Sequence, residues 1–581
     1  MKSANFQRIE ADVVVLGGGL AGCWAALAAK ERACRVILVD KAMVARSGCS
    51  TFAAGVMLAP LSDDNLEEWA REIVENGEFM NDQKWVVTLL NEQMGRLADM
   101  QGWGFPFEMG ADERLVRIIG RAHKKTRVLM FHGHKLMEGM RKKVLEKGVE
   151  LKERIMVTDL LLNQDGTASP NRLVGVIGRH TRSGEWVVLN AGALVLACGP
   201  IFFKDGGGYV DNISGDGVAM AYRAGATLTD MEFATQCNII IWRRKYKASG
   251  INMFQGYGAH IVNSNGERFM ERYDPVLKER SKTSILGAAF TKEALEGRGP
   301  IYMDMRHLKP EVFEKFERVI PKTMQVFRAA GIDPRHDLIE CTPSVHTPHS
   351  SSGEGGIRVD IDCRTDLPGL FAAGGSTKHK PHGTYAVGGL NLAYCCVSGY
   401  RAGYGASRFA QGNLRPPLPG DGLLADYIDR QERSFAGGQV DLEEIIREIK
   451  LVTVPAKYSF FKHRRRINET LARLEEIEAG LLPEAKVDGV HNWVKGMEIR
   501  NYLTCARLVY KAALLREESR GSLFREEFPN RDDRHWLKWI TIKRIGHEDR
   551  IIIEPIPLDS YPFKPKSLAP VPFPVQYYFE K

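Results

Sequence analysis

The sequence predicts an α/β protein with a doubly wound parallel sheet, and three features of its 581 residues predict it. Over the first 235 residues, apolar segments of strand length alternate with glycine turns and helical segments, as in sheets covered by helices on both faces. A segment of the same type returns at about residues 355–410. Apolar residues then recur mainly at three- and four-residue steps up to about residue 515, the period of amphipathic helices. We therefore expect a sheet domain in two pieces, an inserted cap and a helical domain.

These patterns divide the chain into five segments. The segment between the two sheet pieces mixes strand and helix signals, so we expect an α+β capping domain there. The last segment carries many prolines, which lack a backbone donor and fit extended chain better than regular structure. The predicted boundaries are 1–235 and 355–415 for the two parts of the sheet domain, 236–354 for the cap, 416–545 for the helical domain and 546–581 for an extended tail.

Composition and charge exclude several classes of protein. Apolar residues make up 44% and charged residues 26% of the chain, which excludes disordered and fibrous proteins. The net charge of +8 is modest, and no basic tract indicates nucleic-acid binding. Ten cysteines occur without CxxC or Cys/His spacing, so we predict neither a zinc site nor an iron–sulfur cluster, and we expect mostly buried thiols. We expect no signal peptide and no membrane span, and therefore a cytoplasmic protein.

A glycine-rich turn near the start of the chain predicts a dinucleotide site. The apolar run at residues 12–16 is followed by Gly17, Gly19 and Gly22 in GxGxxG spacing, and then by an alanine-rich helix. The first glycine permits the turn, the second lets the backbone approach a pyrophosphate, and the third lets the helix pack on the strand. A second strand ends at Asp40, where a carboxylate accepts from ribose hydroxyls. A glycine turn without a ligand is the alternative, and the motif alone does not separate FAD from NAD.

Four later segments extend the nucleotide-binding pattern. Small residues at 46–55 would let the backbone run flat against a flavin. Residues 193–199 and 367–374 each predict a core strand that ends in a glycine turn. Residues 214–225 predict a turn and a helix with the carboxylate of Asp216 at the entrance.

Together with three further segments, these residues resemble the flavoprotein subunit of the succinate dehydrogenase and fumarate reductase superfamily. That superfamily also includes aspartate oxidase and, more distantly, the flavoprotein of adenylylsulfate reductase. The further segments are similar to the family's capping-domain hairpin and to two of its signatures, at residues 262–272, 296–304 and 518–533. The resemblance covers nearly the whole chain and implies a discontinuous Rossmann-like FAD-binding domain with an inserted α+β capping domain and a C-terminal helical domain.

The resemblance implies FAD as the cofactor. In respiratory members a histidine carries the flavin covalently, and its place falls at or near Ser50. No histidine lies between Met1 and Arg121, so we expect FAD to be bound noncovalently. Ser50 and Thr51 also fit helix capping, and both roles can hold together. The residues expected to bind FAD are Gly17, Gly19, Leu20, Ala21, Gly22, Asp40, Lys41, Ser47, Ser50, Thr51, Ala54, Gly55, Val157, Ala197, Gly199, Asp216, Gly374 and Leu390.

The resemblance also implies hydride exchange between flavin N5 and a C=C bond, opposite an arginine that transfers a proton. Arg280 lies in the corresponding segment and is our acid/base candidate. Because an arginine keeps its proton at ordinary pH, it would act only as a desolvated relay coupled to a base. A structural or surface arginine is the alternative, since Lys278, Glu279 and Lys282 surround it.

Histidines and lysines concentrate in two loops that the resemblance places near the flavin. A cluster of cations there would stabilise an anionic reduced flavin or bind an anionic substrate. Exposure to solvent or loop capping is the alternative for several of them. We select His349 and His382 as catalytic candidates because family members carry histidines in these loops. The cluster comprises His346, His349, Lys378, His379, Lys380 and His382.

Three positions depart from the pattern of the dicarboxylate enzymes. Cys237 lies where those enzymes place a histidine, and Ala386 replaces the arginine that binds one carboxylate. Tyr257 lies at the place of a proton-relay glutamate and is a further catalytic candidate. Because a bidentate guanidinium contributes strongly to carboxylate binding, we expect a substrate other than succinate or fumarate.

The leading hypothesis is an FAD-dependent oxidoreductase subunit that acts on a small anionic or unsaturated organic substrate. It would exchange electrons with a separate iron–sulfur or cytochrome subunit, and any membrane association would come through that partner. One alternative is an adenylylsulfate-reductase-like activity, in which sulfite meets flavin N5. Another is an electron-relay subunit without substrate turnover, which the lost histidine, arginine and glutamate favour. The hairpin at 262–272 and the Arg280 segment favour C=C chemistry.

Overall fold

Strands and helices alternate through the first part of the chain. The computed structural model describes residues 6–105, 107–110, 113–163, 172–202, 213–243, 246–248, 251–348, 354–435 and 437–580. The first strands are β1 Phe6–Leu16, β2 Val36–Asp40, β3 Ala54–Leu58, β4 Arg117–Ile118, β5 Val128–His132, β6 Glu150–Glu153, β7 Ile155–Leu162, β8 Leu173–His180, β9 Trp186–Leu196 and β10 Leu228–Thr229. The first helices are α1 Leu20–Lys30, α2 Cys49–Phe52, α3 Leu66–Asn76, α4 Gln83–Gly102, α5 Gly133–Glu146 and α6 Asp216–Arg223.

The cap has an antiparallel sheet and a hydrophobic core of its own. Its strands follow the order β12-β11-β15-β14-β13. Its core is rich in aromatic side chains such as Phe254, Phe290 and Phe316. The strands are β11 Gln236–Arg243, β12 Tyr246–Ala248, β13 His260–Val262, β14 Ile301–Asp304 and β15 Ile339–His346. The helices are α7 Ile251–Gly256, α8 Met270–Tyr273, α9 Thr283–Leu295, α10 Pro310–Val319 and α11 Pro321–Ala330.

The rest of the chain returns to the first sheet and then becomes mainly helical. Its helices are α12 Leu390–Gly412, α13 Asp421–Arg433, α14 Leu442–Thr453, α15 Ala456–Ser459, α16 Arg464–Glu476, α17 Val490–Leu515 and α18 Asp533–Trp536. Its strands are β16 Gly356–Ile357, β17 Leu370–Ala372, β18 Phe461–Lys462, β19 Phe524–Arg525, β20 Asn530–Arg531, β21 Lys538–Ile545, β22 Glu548–Pro555 and β23 Val571–Pro572. No helix in the described part of the chain has both the length and the apolarity of a membrane span.

The central sheet confirms the predicted α/β fold class. It runs β6-β2-β1-β9-β8-β7, with β1 parallel to both β2 and β9. β9 is buried along its whole length because it has apolar neighbours on both faces. β8 pairs with the first half of β9, and β17 pairs in parallel with its last three residues. The segment after the cap therefore completes the sheet that the first part of the chain begins.

Helix α12 packs closely on α1 and fixes one wall of the candidate site. The close approach depends on small residues, since a Cβ at Gly403 would lie 2.0 Å from the carbonyl oxygen of Ala25. A Cβ at Gly399 would lie 2.4 Å from the carbonyl oxygen of Ala21. Because α1 begins at the glycine turn, this packing holds the middle of α12, around Gly399, beside the first turn of α1.

The region around residue 545 differs from its prediction. We expected the helical domain to reach residue 545 and an extended tail to begin at 546, whereas β21 and β22 pair across that boundary as an antiparallel hairpin. β21 also pairs with β10, with Ile542 opposite Leu228. The β-branched run at 540–542 favours a strand that is buried on the β10 side. The prolines that suggested an extended tail begin only at Pro555, where the hairpin ends.

Candidate active site

Backbone contacts shape the glycine turn after β1 and leave no room for side chains. Gly17 has φ of +102°, and a Cβ there would lie 2.2 Å from the carbonyl oxygen of Ala197. A Cβ at Gly22 would lie 1.8 Å from the carbonyl oxygen of Gly17. The chain itself therefore requires both glycines, since backbone atoms cannot move aside as a flexible side chain can. The turn brings Ala197, just after β9, next to the end of β1.

Gly19 differs from these two glycines because its missing side chain leaves open space. It is the N-cap residue of α1, and a Cβ there would meet, of the described atoms, only the Ser50 hydroxyl oxygen at 3.7 Å. The amide of Leu20 donates to that hydroxyl at 3.3 Å, and Ala21 follows in the first turn. A helix N-terminus with an open approach for a phosphate is the geometry that a pyrophosphate needs.

Asp40 is the last residue of β2, and its carboxylate accepts hydrogen bonds from the backbone of the glycine turn and from the residues after β2. Its Oδ2 accepts from the amide of Gly18 at 2.8 Å, and its Oδ1 accepts from the amide of Ala42 at 2.7 Å. Burial raises the pKa of this carboxyl, and the two amide hydrogen bonds oppose the rise without cancelling it. Each oxygen keeps a second lone pair, so the contact with a ribose hydroxyl stays a prediction.

Lys41, Asp216 and Glu498 form a buried ion cluster beside the turn. The Lys41 Nζ lies 2.7 Å from Asp216 Oδ2 and 2.9 Å from Glu498 Oε1. Burial lowers the pKa of Lys41, but the two carboxylates outweigh burial and raise it. Burial raises the pKa of Asp216, but Lys41 outweighs it and lowers that pKa. A cavity of about 520 Å³ opens beside the cluster and has Lys41, Ala42, Thr181, Arg182 and His491 in its wall.

The small-residue stretch forms α2 and β3, and two of its hydroxyls serve the local backbone. Ser47 donates to a carbonyl oxygen four residues earlier at 3.1 Å, and Thr51 donates to the Ser47 carbonyl oxygen at 3.2 Å. Ala54 and Gly55 pair with β5, and a Cβ at Gly55 would lie 2.0 Å from a carbonyl oxygen of that strand. Among the described residues of this stretch, Ser50 is the one whose side chain hydrogen-bonds to the dinucleotide turn.

Four predicted FAD contacts come from the later elements. Gly374 has φ of +58° and follows β17, and a Cβ there would lie 2.7 Å from the Cβ of Ala21. Gly199 has φ of +83° shortly after β9. Leu390 begins α12, and Val157 is buried in β7. Gly199, Gly374 and Leu390 thus belong to elements that meet at the carboxyl ends of β1, β9 and β17.

Arg280 lies on a short 3₁₀ turn at the edge of the cap. Its carbonyl oxygen accepts from the amide of Ala122 at 2.9 Å, and its side chain is half-buried. Lys278, Glu279 and Lys282, which surround it in sequence, each form an ion pair with another residue. No described carboxylate forms an ion pair with Arg280, so the guanidinium is available to a ligand or a base.

His382 is a neutral donor and not a cation. Its ring is buried, and its Nδ1 accepts from the amide of Ala386 at 3.0 Å. Burial, and then the neighbouring His379, hold the pKa of His382 well below its ordinary value. A neutral ring that accepts at Nδ1 carries its proton on Nε2, which has no partner of good geometry in the described structure. Burial also lowers the pKa of His379 to about 4, so these two histidines do not form the cationic cluster we expected.

The two lysines of this loop are held by different partners. Lys378 Nζ donates to the carbonyl oxygens of Glu354 and Gly383 at 2.9 and 2.6 Å, and burial lowers its pKa to about 8. Lys380 Nζ lies 3.3 Å from Asp230 Oδ2 and 4.0 Å from the centre of the Trp539 ring. The charge of Lys380 is therefore balanced within the protein, whereas the described hydrogen-bond acceptors of Lys378 are uncharged carbonyl oxygens.

Tyr257, a predicted catalytic residue, is not brought into this cluster. Tyr257 lies against the aromatic core of the cap, where its hydroxyl donates to the Met130 sulfur at 3.4 Å and its ring contacts Phe316. No titratable partner of its hydroxyl occurs among the described residues, so a proton-relay role stays a prediction. His349 lies outside the described residues, as do the side chains of His346 and Cys237.

Sequence reasoning missed Arg121, which the structure places beside the His382 loop. Its side chain is 3% exposed, and its Nη2 donates to the Tyr385 hydroxyl at 2.9 Å. The Tyr385 ring in turn stacks on His382, with ring centres 4.8 Å apart. Arg121 precedes Ala122, whose amide binds the carbonyl of Arg280. A single arginine between β4 and β5 carries no motif, so nothing in the sequence could have indicated this contact.

A buried ion network supports the site from the C-terminal signature. Arg516 binds Glu232 at 2.8 Å and Glu518 at 2.7 Å, and Arg520 binds Glu518 and Asp533 at 2.7 and 2.8 Å. All five side chains are fully buried. Burial raises the pKa of Glu232 to about 7, and Arg516 opposes the rise. The network fixes the turn that carries Asp230, the partner of Lys380.

A glycine turn between a strand and a helix, with a carboxylate at the end of the next strand, is typical of dinucleotide-binding proteins. Residues 12–392 match the family model of an FAD binding domain, and residues 451–569 match that of a fumarate reductase flavoprotein C-terminus. The chain belongs to this FAD-binding family of succinate dehydrogenase and fumarate reductase flavoproteins and is an FAD-dependent oxidoreductase.

One curated relative and two solved structures illustrate the similarity. A fumarate reductase (CoM/CoB) subunit from Methanothermobacter marburgensis is 30% identical over 562 residues, which cover 92% of this chain and 97% of that one. The FrdA chain of an E. coli quinol fumarate reductase mutant superposes with a TM-score of 0.84 at 24% identity, over 96% of this chain and 98% of that chain. An adenylylsulfate reductase from Archaeoglobus fulgidus gives a TM-score of 0.79 at 19% identity, over 96% of this chain and 98% of that chain. The two structures show that the fold is shared.

The residues present fit FAD. The space beyond Gly19 and the amides at the start of α1 suit a pyrophosphate, because a side chain there would occupy the approach. Asp40 and Lys41 follow β2 on the side where the adenosine half is expected. The small residues of α2 and β3 lie beside α1 through the contact of Ser50 with Leu20. These contacts name the residues that would hold the cofactor.

Proposed function

We propose that this chain is the flavoprotein subunit of an enzyme that exchanges hydride between FAD and a C=C bond of a small anionic organic acid. The proposed substrate is neither succinate nor fumarate. Electrons pass to or from a separate iron–sulfur or cytochrome subunit, and FAD is bound noncovalently. The single observation that carries the proposal is the site around His382. This neutral donor stacks on Tyr385, which binds Arg121, and the neighbouring Ala122 binds the backbone of Arg280; neither arginine has a described carboxylate partner.

The residues of this chain take distinct roles in the proposed reaction. FAD, when bound, supplies the hydride acceptor or donor. The Nε2 proton of His382 is a hydrogen-bond donor for an oxygen of the substrate, because Nδ1 is already occupied by a backbone amide. Arg280 holds the proton that is exchanged with the substrate carbon, and its position is fixed by the hydrogen bond from Ala122. Burial of the surrounding loop excludes water and strengthens these polar contacts.

The proposed substrate class rests on the substitutions in the substrate loops. Ala386 is fully buried and has no group with which to bind a carboxylate, and its amide is already bound to His382. Cys237 offers a thiol where the resembling enzymes have an imidazole. The name of the M. marburgensis relative nevertheless makes fumarate the first compound to test.

A separate electron-transfer partner is supported by the sequence and by one exposed surface. No cysteine spacing of the chain indicates a cluster of its own, and the M. marburgensis relative is named as a subunit. The hairpin formed by β21 and β22 lies at the edge of its sheet and exposes three isoleucines, Ile545, Ile552 and Ile553. Exposed apolar side chains on an edge strand are suited to a protein interface.

The test is reoxidation of the photoreduced holoenzyme under anaerobic conditions. Fumarate, several enoates and enoyl thioesters, and adenylylsulfate are added in turn, and the visible band of the flavin is followed. The proposal predicts fast return of the oxidised spectrum with an enoate and not with fumarate. Fast reaction with fumarate would make the protein a fumarate reductase with different ligands. Reaction with adenylylsulfate would favour the second enzyme class, and no reaction at all would favour an electron relay.

The mode of flavin attachment is tested separately by acid precipitation of the holoenzyme. Noncovalent FAD is released into the supernatant, whereas covalent flavin stays with the precipitated chain. Yellow colour that remains in the pellet would contradict the proposal.

A further inference from the structure

We infer that Arg121 and Tyr385 form the anion-binding site that receives a carboxylate of the substrate, in place of the arginine that is missing at Ala386. The identification of the anion as a substrate carboxylate rests on the proposed function. The existence of an anion-binding site rests only on contacts between residues of this chain.

The first argument is the state of the Arg121 guanidinium. Its side chain is 3% exposed, yet it forms no ion pair with any described carboxylate. Its Nη2 donates to the uncharged Tyr385 hydroxyl at 2.9 Å, and its Nε has no acceptor in the described structure. A buried charge without a counterion is costly, and a bound anion would remove that cost.

The second argument is the contrast with the other buried arginines of the region. Arg516 and Arg520 each bind at least one buried carboxylate, and Arg525 binds Glu527 at 3.3 Å and three backbone carbonyl groups. The protein therefore supplies counterions to the arginines that serve its structure. Arg121 differs from all three because its described polar partner is a tyrosine hydroxyl.

The third argument is the position of Arg121 between two loops of the candidate site. Its carbonyl oxygen accepts from the amide of Gly388 at 3.4 Å, and the next residue, Ala122, binds the backbone of Arg280. Tyr385 stacks on His382 and lies one residue before Ala386. An anion bound to Arg121 and Tyr385 therefore lies next to His382, the proposed hydrogen-bond donor, and the backbone of Arg280 is bound by the residue that follows Arg121.

The fourth argument is the conformation of Tyr385. Its φ of +118° lies in a region that residues with side chains rarely adopt, so the backbone holds this ring in place at a cost in free energy. Because the Tyr385 oxygen accepts from Arg121, its own O–H is available to a ligand. One carboxylate can then accept from the guanidinium and from the phenol together, which gives the site selectivity for a carboxylate over a neutral group.

The experiment measures binding of carboxylate probes to the oxidised holoenzyme through the change in its flavin absorption band. Acrylate and malonate are the probes, and acrylamide is the neutral control. The variants are Arg121→Met, Arg121→Lys and Tyr385→Phe, with Arg127→Met as a matched control from the same loop. The side chain of Arg127 donates to three backbone carbonyl oxygens and lies outside the proposed site.

We expect saturable binding of the two acids to the wild-type protein, weakened about 10- to 100-fold in Arg121→Met and less in Arg121→Lys and Tyr385→Phe. Binding by Arg127→Met should equal that of the wild-type protein, and all variants should keep full FAD content. Equal binding by wild type and Arg121→Lys or Tyr385→Phe would overturn the inference even if Arg121→Met fails to fold. Absence of any spectral change with the wild-type protein would overturn it as well.

Measurements of carboxylate binding and of substrate turnover can fail independently, so they test this inference and the proposed function separately. If the acids bind through Arg121 but no compound reoxidises the reduced flavin, the proposed function fails and the anion site stands. If an enoate is reduced by the wild-type protein and Arg121→Lys leaves its KM unchanged, the proposed function stands and the anion site fails.

Discussion

The nucleotide end and the proposed substrate end of this site are built by different means. Around Gly17 and Gly22 the backbone itself fills the available space, and the binding surface consists of amides and small residues that are close in sequence. Around His382 the surface consists of side chains, and Arg121 meets Tyr385 across 264 residues. The nucleotide end is therefore determined by short motifs, whereas the substrate end is determined by tertiary contacts that can change one residue at a time.

The largest expected effect comes from Gly22→Ala, which would break the nucleotide end. The added Cβ would lie 1.8 Å from the Gly17 carbonyl oxygen, which belongs to the backbone and cannot move aside. We expect no folded holoenzyme, measured by FAD content and by thermal unfolding. Gly95→Ala in α4 is the control, because a Cβ there meets nothing within 4 Å. Full FAD occupancy in Gly22→Ala would show that the turn is not constrained by its own backbone.

The second largest effect should come from Arg280→Gln, which acts on the substrate end only. Loss of a positioned acid should lower turnover by about 10²- to 10⁴-fold, while FAD content stays at one per chain. The rate of turnover is measured by single-turnover reoxidation of the reduced flavin, with the substrate that the anaerobic reoxidation assay identifies. Lys278→Gln is the neighbouring control, since Lys278 forms an exposed ion pair with Glu271. Unchanged turnover in Arg280→Gln would make that arginine structural.

The third prediction concerns the pH dependence of stability. Burial lowers the pKa of Lys378 to about 8 from 10.5, so between these values the unfolded chain binds a proton that the folded chain does not. The free energy of unfolding should therefore rise with pH across this window, by up to about 3 kcal/mol from this group. In Lys378→Met the free energy of unfolding should rise less with pH, whereas Lys147→Met, a substitution at an exposed position, should show the same rise as the wild type. The measurement is denaturant unfolding of the three proteins between pH 7.5 and 10. The same dependence of the unfolding free energy on pH in the wild type and both variants would contradict the prediction.

The smallest effect is expected from Gly19→Ala. This substitution tests whether Gly19 leaves space for the cofactor, whereas Gly17 and Gly22 leave space for the backbone of the chain itself. A Cβ at this position would meet only Ser50 among the described atoms, so the apoprotein should keep its stability. The methyl group would occupy the pyrophosphate approach, and we expect FAD affinity to fall at least about tenfold. Titration of the apoprotein with FAD measures it. An unstable apoprotein with normal FAD affinity would reverse the roles assigned to Gly19 and Gly22.

The sequence was informative where local geometry decides the structure. The GxGxxG spacing, the strand before it and the position of Asp40 are all local, and the α/β fold class that such patterns predicted is confirmed. The FAD cofactor, which the family resemblance implied, is confirmed as well. The domain boundary at residue 545 was wrong because it divides the hairpin at 538–555, whose strand β21 pairs with β10, some three hundred residues earlier in the chain. The predictions for Arg280, Tyr257 and His349 stay predictions.

The chemistry of the substrate end was harder to predict for physical reasons. Whether a histidine in a loop is a cation or a neutral donor depends on its burial. His379 and His382 are buried in the structure, but the sequence of residues 378–382 does not indicate it. The same holds for Arg121, whose importance comes from the absence of a counterion in the described structure. Burial and missing partners are properties of the folded chain, so no motif encodes them.

The two-part pairing of β9 has a consequence for the order in which the enzyme is made. Residues 194–196 expose one open edge of the sheet until β17 is available, and β17 is synthesised only after the whole cap. Gly374, which closes against Ala21 beside the dinucleotide turn, arrives at the same late stage. A ribosome-bound chain that ends before residue 370 therefore carries an incomplete cradle. Cofactor insertion belongs to the last third of synthesis or follows release, and chains truncated within the cap should emerge colourless.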